Sequence, residues 1–298
     1  MKAAAPDTPP LKRADEVSMQ DTEKCARQLE DYFKNHIDVG AVIAYSGGVD
    51  SGLLSYVSHL ILGDAMIAVL ADSPSLARRE YCFALDFIKK HRIPIRIVQT
   101  EEMENPLYKA NSGNRCYYCK KALFKKIGEL LGQLDEHESK GPRPIFYGLN
   151  QDDLADYRPG IQAAIEASVL SPYIELGFNK KTIRNLCGYY GLEIADKPAM
   201  PCMSSRIPHG REVTPEKLNQ VEKAEDFLLD IGFRVLRVRH HDDTARIEVQ
   251  PMDFERLLKE RKKICKRFRE LGFLFIALDL DGFHSGSLNA GLTPEATV

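Results

Sequence analysis

No apolar run in the 298-residue sequence approaches the roughly 20 residues a membrane span needs, so no transmembrane helix is expected. Lys and Arg (41) do not outnumber Asp and Glu (43), and a formal net charge of −2 gives no sign of a dedicated nucleic-acid binder. Met1 to Val17 carries charges and prolines but no hydrophobic stretch, so a secretory signal is not expected. Seven cysteines, odd in number and unevenly spaced, argue against a disulfide framework and for a reducing compartment. A cytoplasmic protein fits these absences. The 44% hydrophobic content is that of an ordinary globular chain, long enough for two modest domains or one large one with an appendage.

The Lys of a Walker A loop and the dinucleotide pattern GxGxxG are both missing. What stands in their place is Ser46-Gly47-Gly48-Val49-Asp50-Ser51, between the apolar run Ala41–Tyr45 and a stretch with Leu53, Leu54, Val57, Leu60 and Ile61 at helical spacing. That is a buried strand, a glycine turn and a helix start. The glycines let backbone N–H groups approach a ligand, and two hydroxyls and the helix N-terminus suit phosphate oxygens. Asp50 offers a hard oxygen for Mg²⁺. A generic strand-to-helix turn is the plainer alternative. The hexapeptide resembles the PP-loop of the ATP pyrophosphatase superfamily, which holds pyrophosphate while ATP adenylates a substrate.

Taken in order, residues 1–20 read as a tail and Asp21–His36 as a helix with Cys25 on its apolar stripe. Strands are expected at Ala65–Ala71, Ile95–Gln99 and Ile145–Gly148, with a helix over Leu76–His91 that carries Cys82 as a core residue. The β-α-β-α-β rhythm implies a parallel sheet with helices on both faces and a ligand crevice at the carboxyl ends of its strands. Ser46–Ser51 and Asp72 fall at that crevice. So does the acidic stretch after the fourth strand, from which Asn150, Asp156 and Arg158 are candidates for the nucleotide. Surface acids after a strand are also common. Gly132–Pro144 reads as an irregular surface excursion, and a helix near Lys180–Tyr190 has Cys187 packed within it. Pro198, Pro201 and Pro208 make the segment around Cys202 a rigid loop without helix. Beyond a boundary near 205–213 an α-β-β-α-β pattern follows. Its helices are expected at Thr214–Ile231 and Asp253–Leu271, and its strands at Arg234–Arg239, Arg246–Gln250 and Phe273–Asp279. Arg237 and Arg239 alternate with Val238, so they share a strand face as an anion clamp, or as a solvated basic face. The expected division is 21–208, 209–284 and a frayed end at 285–298.

Cys116-x-x-Cys119 is by itself ambiguous between zinc, redox and iron–sulfur chemistry. No second CxxC or HxxxH completes a zinc site, and adjacent His240-His241 suits zinc poorly. Cys202 offers a third thiolate, and three can hold a [4Fe-4S] cluster with one iron open. A structural cysteine pair with an unrelated Cys202 is the plainer alternative.

With these pieces together, the chain resembles the LarE family of PP-loop sulfur transferases, from about Asp21 to Gly282. The motifs are Ser-Gly-Gly-Val-Asp-Ser (46–51), Asn-Arg-Cys-Tyr-Tyr-Cys-Lys (114–120), Asp-Asp-Leu-Ala-Asp-Tyr-Arg-Pro-Gly (152–160), Pro-Cys-Met-Ser-Ser-Arg-Ile (201–207), Arg-Val-Arg (237–239) and Ala-Arg-Ile-Glu (245–248). The resemblance implies a parallel-sheet PP-loop domain with a smaller C-terminal α/β domain. It implies that ATP and Mg²⁺ adenylate a carboxylate of a pyridinium-biscarboxylate mononucleotide, whose AMP is then replaced by sulfur. Ser46, Gly47, Gly48, Asp50 and Ser51 would hold the nucleotide, and Arg206, Arg237, Arg239, Glu225 and Glu248 the substrate. Cys116, Cys119 and Cys202 would carry a [4Fe-4S] cluster. In family members with a single cysteine, that cysteine sacrifices its own sulfur. A PP-loop tRNA 2-thiolation enzyme is the rival reading, disfavoured by the net charge. A homo-oligomer acting on a small-molecule nucleotide, without nucleic acid or membrane, is the expected form.

Overall fold

The computed structural model describes residues 19–36, 39–135, 143–155 and 159–284. Helix α1 (Met19–His36) leads to strand β1 (Ala41–Tyr45), helix α2 (Val49–Leu62), β2 (Met66–Asp72), α3 (Arg78–Lys90) and β3 (Ile95–Gln99). After the short α4 (Pro106–Lys109) come α5 (Arg115–Asp135), β4 (Ile145–Tyr147), α6 (Pro159–Glu166), α7 (Pro172–Glu175) and α8 (Lys180–Tyr189). Then follow α9 (Pro215–Asp230), β5 (Leu236–His241), β6 (Thr244–Val249), α10 (Phe254–Lys259), α11 (Arg261–Glu270) and β7 (Phe275–Leu278). None of the described helices is long and apolar enough to cross a membrane.

The first four strands form one parallel sheet in the order β3-β2-β1-β4. Every residue of β1 is buried because both faces are covered, which is why that strand reads as an unbroken apolar run. Side chains alternate between the faces. Ala41, Ile43 and Tyr45 meet Leu29 and Phe33 of α1, Leu53, Leu54 and Val57 of α2, and Phe87 of α3. Val42 and Ala44 meet Leu123, Phe124 and Ile127 of α5 and Ala163 and Ala164 of α6. Each large apolar side chain so buried contributes about 1.5–3 kcal/mol. The three-residue β4 is pinned by Phe146, fully buried with its ring 5.4 Å from that of Phe33. The chain winds outward from β1 to β3 and returns to place β4 on the other side of β1. That reversal is the switch point at which open α/β sheets bind ligands.

A second sheet has the order β5-β6-β7, with β5 and β6 antiparallel and β6 and β7 parallel. Its core joins Val221, Ala224 and Leu228 of α9, Val238, Ile247 and Val249, and Ile264 and Phe268 of α11. Tyr108, Met203 and Ile207, from earlier in the chain, also belong to it.

Several local expectations are corrected. Helix α5 begins at Arg115, and Cys116 and Cys119 lie in its first turns. Arg115 anchors that start, donating to Asn111 Oδ1 at 2.5 Å and to the Ser204 carbonyl at 2.8 Å. The same helix continues through Gly132 to Asp135, held by the buried Leu131, where an irregular excursion is expected. One 3₁₀ turn, Met203–Arg206, fits between Pro201 and Pro208. The single helix expected over Asp253–Leu271 is broken at Glu260 into α10 and α11. Cys187 is buried and Cys25 packs against the core, but Cys82 is exposed, on the outer face of α3.

Candidate active site

A cleft of about 540 Å³ opens at the carboxyl ends of β1–β3. Its walls carry Ser46, Gly48 and Asp50 of the turn after β1 together with Cys119 and Cys202. The turn after β1 is built for close approach. Gly47 has φ +74, and a Cβ there would stand 2.7 Å from that of Ala84, so only glycine fits without displacement. Gly48 precedes α2 in extended backbone with no side-chain cap. The first amides of α2 are therefore available to an anion. Ser46 donates its N–H to Ser51 Oγ at 3.1 Å, and the two hydroxyls are 3.0 Å apart, fixing the turn across its neck.

Asp50 Oδ2 accepts from Lys180 Nζ at 2.5 Å, while its Oδ1 is buried without a hydrogen-bond partner among the described residues. An orphaned, buried carboxylate oxygen beside an anion-binding turn fits a hard divalent cation such as Mg²⁺.

The cleft is also cationic, which local sequence does not announce. Lys120, Lys180, Arg184 and Lys197 all line it. Lys197 Nζ donates to the Gly47 carbonyl at 2.9 Å and pairs with Glu80 at 2.7 Å, tying the start of the Cys202 loop to the glycine turn. Lys180 opens α8, where the helix dipole disfavours a cation. That unfavourable position was the available signal. Lys120 Nζ stands 4.8 Å from the centre of the Tyr147 ring; burial opposes its charge, yet Tyr147 and Cys119 raise it to about 12.

The Cys202 loop is strapped from several sides. Met203 N–H donates to the Ser75 carbonyl at 2.8 Å. The Cys202 carbonyl accepts from Ser205 Oγ at 2.7 Å and from Arg206 Nη1 at 3.1 Å, leaving the side chain exposed. Cys116 and Cys119, one helical turn apart, are exposed and half-buried. Burial pushes the Cys119 thiol up to about 12 against the pull of Lys120, and the Cys202, Glu102 and Cys116 charges add to the rise. Arg115 is held above its ordinary value: burial opposes its charge, but the nearby Cys202 and Cys116 sulfurs outweigh it. Cys116 and Cys202 thus lie in the field of one guanidinium, and Cys119 and Cys202 line the cleft. Among the described residues no three His, Cys, Asp or Glu side chains converge closely enough to hold a metal ion. Thiolates are the donor type an iron–sulfur cluster takes.

The other expected residues are placed less openly. Arg206 is fully buried, in a bidentate pair with Glu225 at 3.0 and 2.9 Å. Its Nη1 holds the Pro201 carbonyl at 2.6 Å, and Glu225 also accepts from Val238 N–H at 2.9 Å. Arg239 is likewise bidentate to the buried Glu248 at 2.9 and 2.7 Å. These four charges answer one another beside the cysteine loop and do not form an open anion clamp. Arg237 has no carboxylate partner among the described residues. It donates to the Ala199 carbonyl at 3.3 Å, and burial, with Arg206 nearby, lowers it to about 10. Asp72 accepts from Arg78 at 2.6 Å and from Gln99 at 3.0 Å, and is not among the residues lining the cleft. Asn150 is buried, with its side chain taking Asp152 N–H at 3.0 Å. Asp156 and Arg158 lie outside the described residues.

No protein-family model matches the chain. An uncharacterised protein of Synechocystis is 43% identical over 255 residues, 85% of this chain and 93% of that one. A pyridinium-3,5-bisthiocarboxylic acid mononucleotide synthase from Lactiplantibacillus plantarum is 31% identical over 252 residues, 84% of this chain and 89% of the synthase. One of the subunits of the glutamine-hydrolysing GMP synthase from Archaeoglobus fulgidus is 28% identical over 219 residues, 68% and 69% of the two chains. Similarity over nearly the full length of the Lactiplantibacillus synthase places this chain in that enzyme's family, the LarE family.

Proposed function

We propose that this chain is an ATP-dependent sulfur transferase that converts a carboxylate of a pyridinium-3,5-biscarboxylate mononucleotide into a thiocarboxylate, in the synthesis of a nickel-pincer nucleotide. The observation that carries the reading is one cleft lined by both an uncapped, glycine-turned helix start and two cysteine side chains. The name of the Lactiplantibacillus relative supplies the substrate class.

A carboxylate is a poor electrophile and must first be activated. Its oxygen attacks the α-phosphorus of ATP, the bond to the β-phosphate oxygen breaks, and pyrophosphate leaves. The amides of the 46–51 turn and Lys180 would hold the departing phosphates, with Asp50 as the Mg²⁺ ligand that neutralises them. Sulfur at the level of hydrosulfide then attacks the acyl carbon, and AMP leaves. Arg237 has no carboxylate partner among the described residues but does not line the cleft; Lys120 and Arg184, which do line it and have no carboxylate partner among the described residues, would take the mononucleotide phosphate. Cys116, Cys119 and Cys202 would hold a [4Fe-4S] cluster, whose open iron would supply bound hydrosulfide. Arg206 acts by fixing the Cys202 backbone.

Iron and acid-labile sulfide, measured after anaerobic reconstitution, test the sulfur step. About four irons per chain, lost in both Cys116→Ala and Cys202→Ala, support the cluster. Absence of iron, with loss of one H₂S from Cys202 after turnover, replaces it with a sacrificed cysteine. A chain that forms no thiocarboxylate from ATP, Mg²⁺, sulfide and the biscarboxylate by mass spectrometry refutes the function.

A further inference from the structure

Glu102 opens the short turn after β3 and lines the cleft, as Thr100 and Cys119 also do. It is 1% exposed, and neither carboxylate oxygen has a hydrogen-bond partner among the described residues. The other acids lining the cleft are answered: Asp50 by Lys180 and Glu80 by Lys197. Burying a carboxylate with no donor is costly, and a fold that retains one at the wall of a ligand cleft points to a compensating charge on the ligand.

The substrate read above has such a charge. A pyridine nitrogen alkylated by ribose is cationic and carries no N–H. No hydrogen bond can recognise it, so its complement is an anion whose field reaches the ring. We propose that Glu102 is the counter-charge for an N-substituted, cationic pyridine ring bound in the cleft, and that it sets the preference for pyridinium over a neutral ring. This inference rests on the pyridinium mononucleotide reading. Its oxygens lie beneath the lining, so Glu102 acts through its field, in a medium where charges interact more strongly than in water. The cleft lysines would take the ligand's phosphate and carboxylates, so each sign on the ligand meets its opposite. Glu102 is a specificity residue, not a catalytic one.

Two probes isolate the ring charge: nicotinic acid mononucleotide, a pyridinium, and its 1,4-dihydro form, which keeps the phosphate and carboxylate on a neutral ring. Calorimetric titration of the full chain should show wild type preferring the pyridinium form. Glu102→Gln should lower that preference by about ten-fold, the effect of removing one opposite charge at close range, with ATP affinity unchanged. Glu102→Asp, which keeps the charge, should retain most of it. A structural role alone would weaken both probes and ATP together. An unchanged preference in Glu102→Gln overturns the inference and leaves the function standing. Equal binding of the two probes by wild type overturns it whatever the variants do. Wild type that binds neither probe overturns the inference, and thiocarboxylate formation from the biscarboxylate then decides the function separately.

Discussion

Arg206 decides between two readings of the Pro201–Ile207 segment: a residue that grips substrate, or one that holds the cysteine loop. The perturbation is Glu225→Ala. Arg206 is 0% exposed and its partner carboxylate nearly so, with two hydrogen bonds of 3.0 and 2.9 Å between them. Removing the carboxylate leaves a guanidinium buried with no opposing charge on that side and strips the Val238 N–H of its acceptor at 2.9 Å. Breaking one side of a buried pair costs about 3–5 kcal/mol, which at this size lowers Tm by on the order of 10 °C. Because Arg206 Nη1 also holds the Pro201 and Cys202 carbonyls, the loop should loosen, and Cys202 should react faster with a bulky thiol reagent. Replacing both partners by apolar residues, Arg206→Met with Glu225→Met, removes the orphaned charge and should recover most of the lost stability. Calorimetric melting of the two variants beside wild type gives the answer. Glu225→Ala within about 1 kcal/mol of wild type, or a double variant no more stable than Glu225→Ala, would refute a buried structural pair.

Three other outcomes follow from the geometry. Gly47→Ala, forced to φ +74 and against Ala84, should cost about 1–3 kcal/mol and abolish nucleotide binding; normal ATP binding by equilibrium dialysis would contradict the fit. Brief iodoacetamide treatment of the iron-free chain at neutral pH should alkylate the exposed Cys82, Cys116 and Cys202 before Cys119 and Cys187, whose thiols burial raises to about 12; peptide mass mapping in which Cys119 reacts first would refute the placement. Burial, reinforced by Lys217, lowers the pKa of His240, so the unfolded chain takes up that proton first as pH falls. Its contribution is fully present above about pH 6.5 and is lost as pH drops towards the folded value. His240→Gln should flatten that loss in urea midpoints, and an unchanged slope would remove His240 as its source.

Much of the first sheet was legible because β1 and most of β2 are buried on both faces and the covering helices on one, two patterns that local sequence carries directly. Ala41–Tyr45 and Ile95–Gln99 are found as expected. The hexapeptide was legible because glycine at positive φ has few substitutes. Pairings across long sequence separations were not. Arg206 and Arg239 read as anion ligands, since nothing local shows that Glu225 and Glu248 lie opposite them. Lys180 and Lys197 were missed for the same reason: they reach the glycine turn only through tertiary packing. Cys82 sits at helical spacing beside apolar neighbours, but on the outward side of the stripe. Glu102 is an ordinary acidic residue until its burial is known.

The central claim is that the cleft activates a carboxylate by adenylation, and isotope exchange between pyrophosphate and ATP tests it most directly. With Mg²⁺ and the pyridinium biscarboxylate mononucleotide, and with no sulfur source, label should pass from pyrophosphate into ATP, and Asp50→Asn should abolish it. Exchange that proceeds equally without the mononucleotide, or none with wild type, would contradict the account.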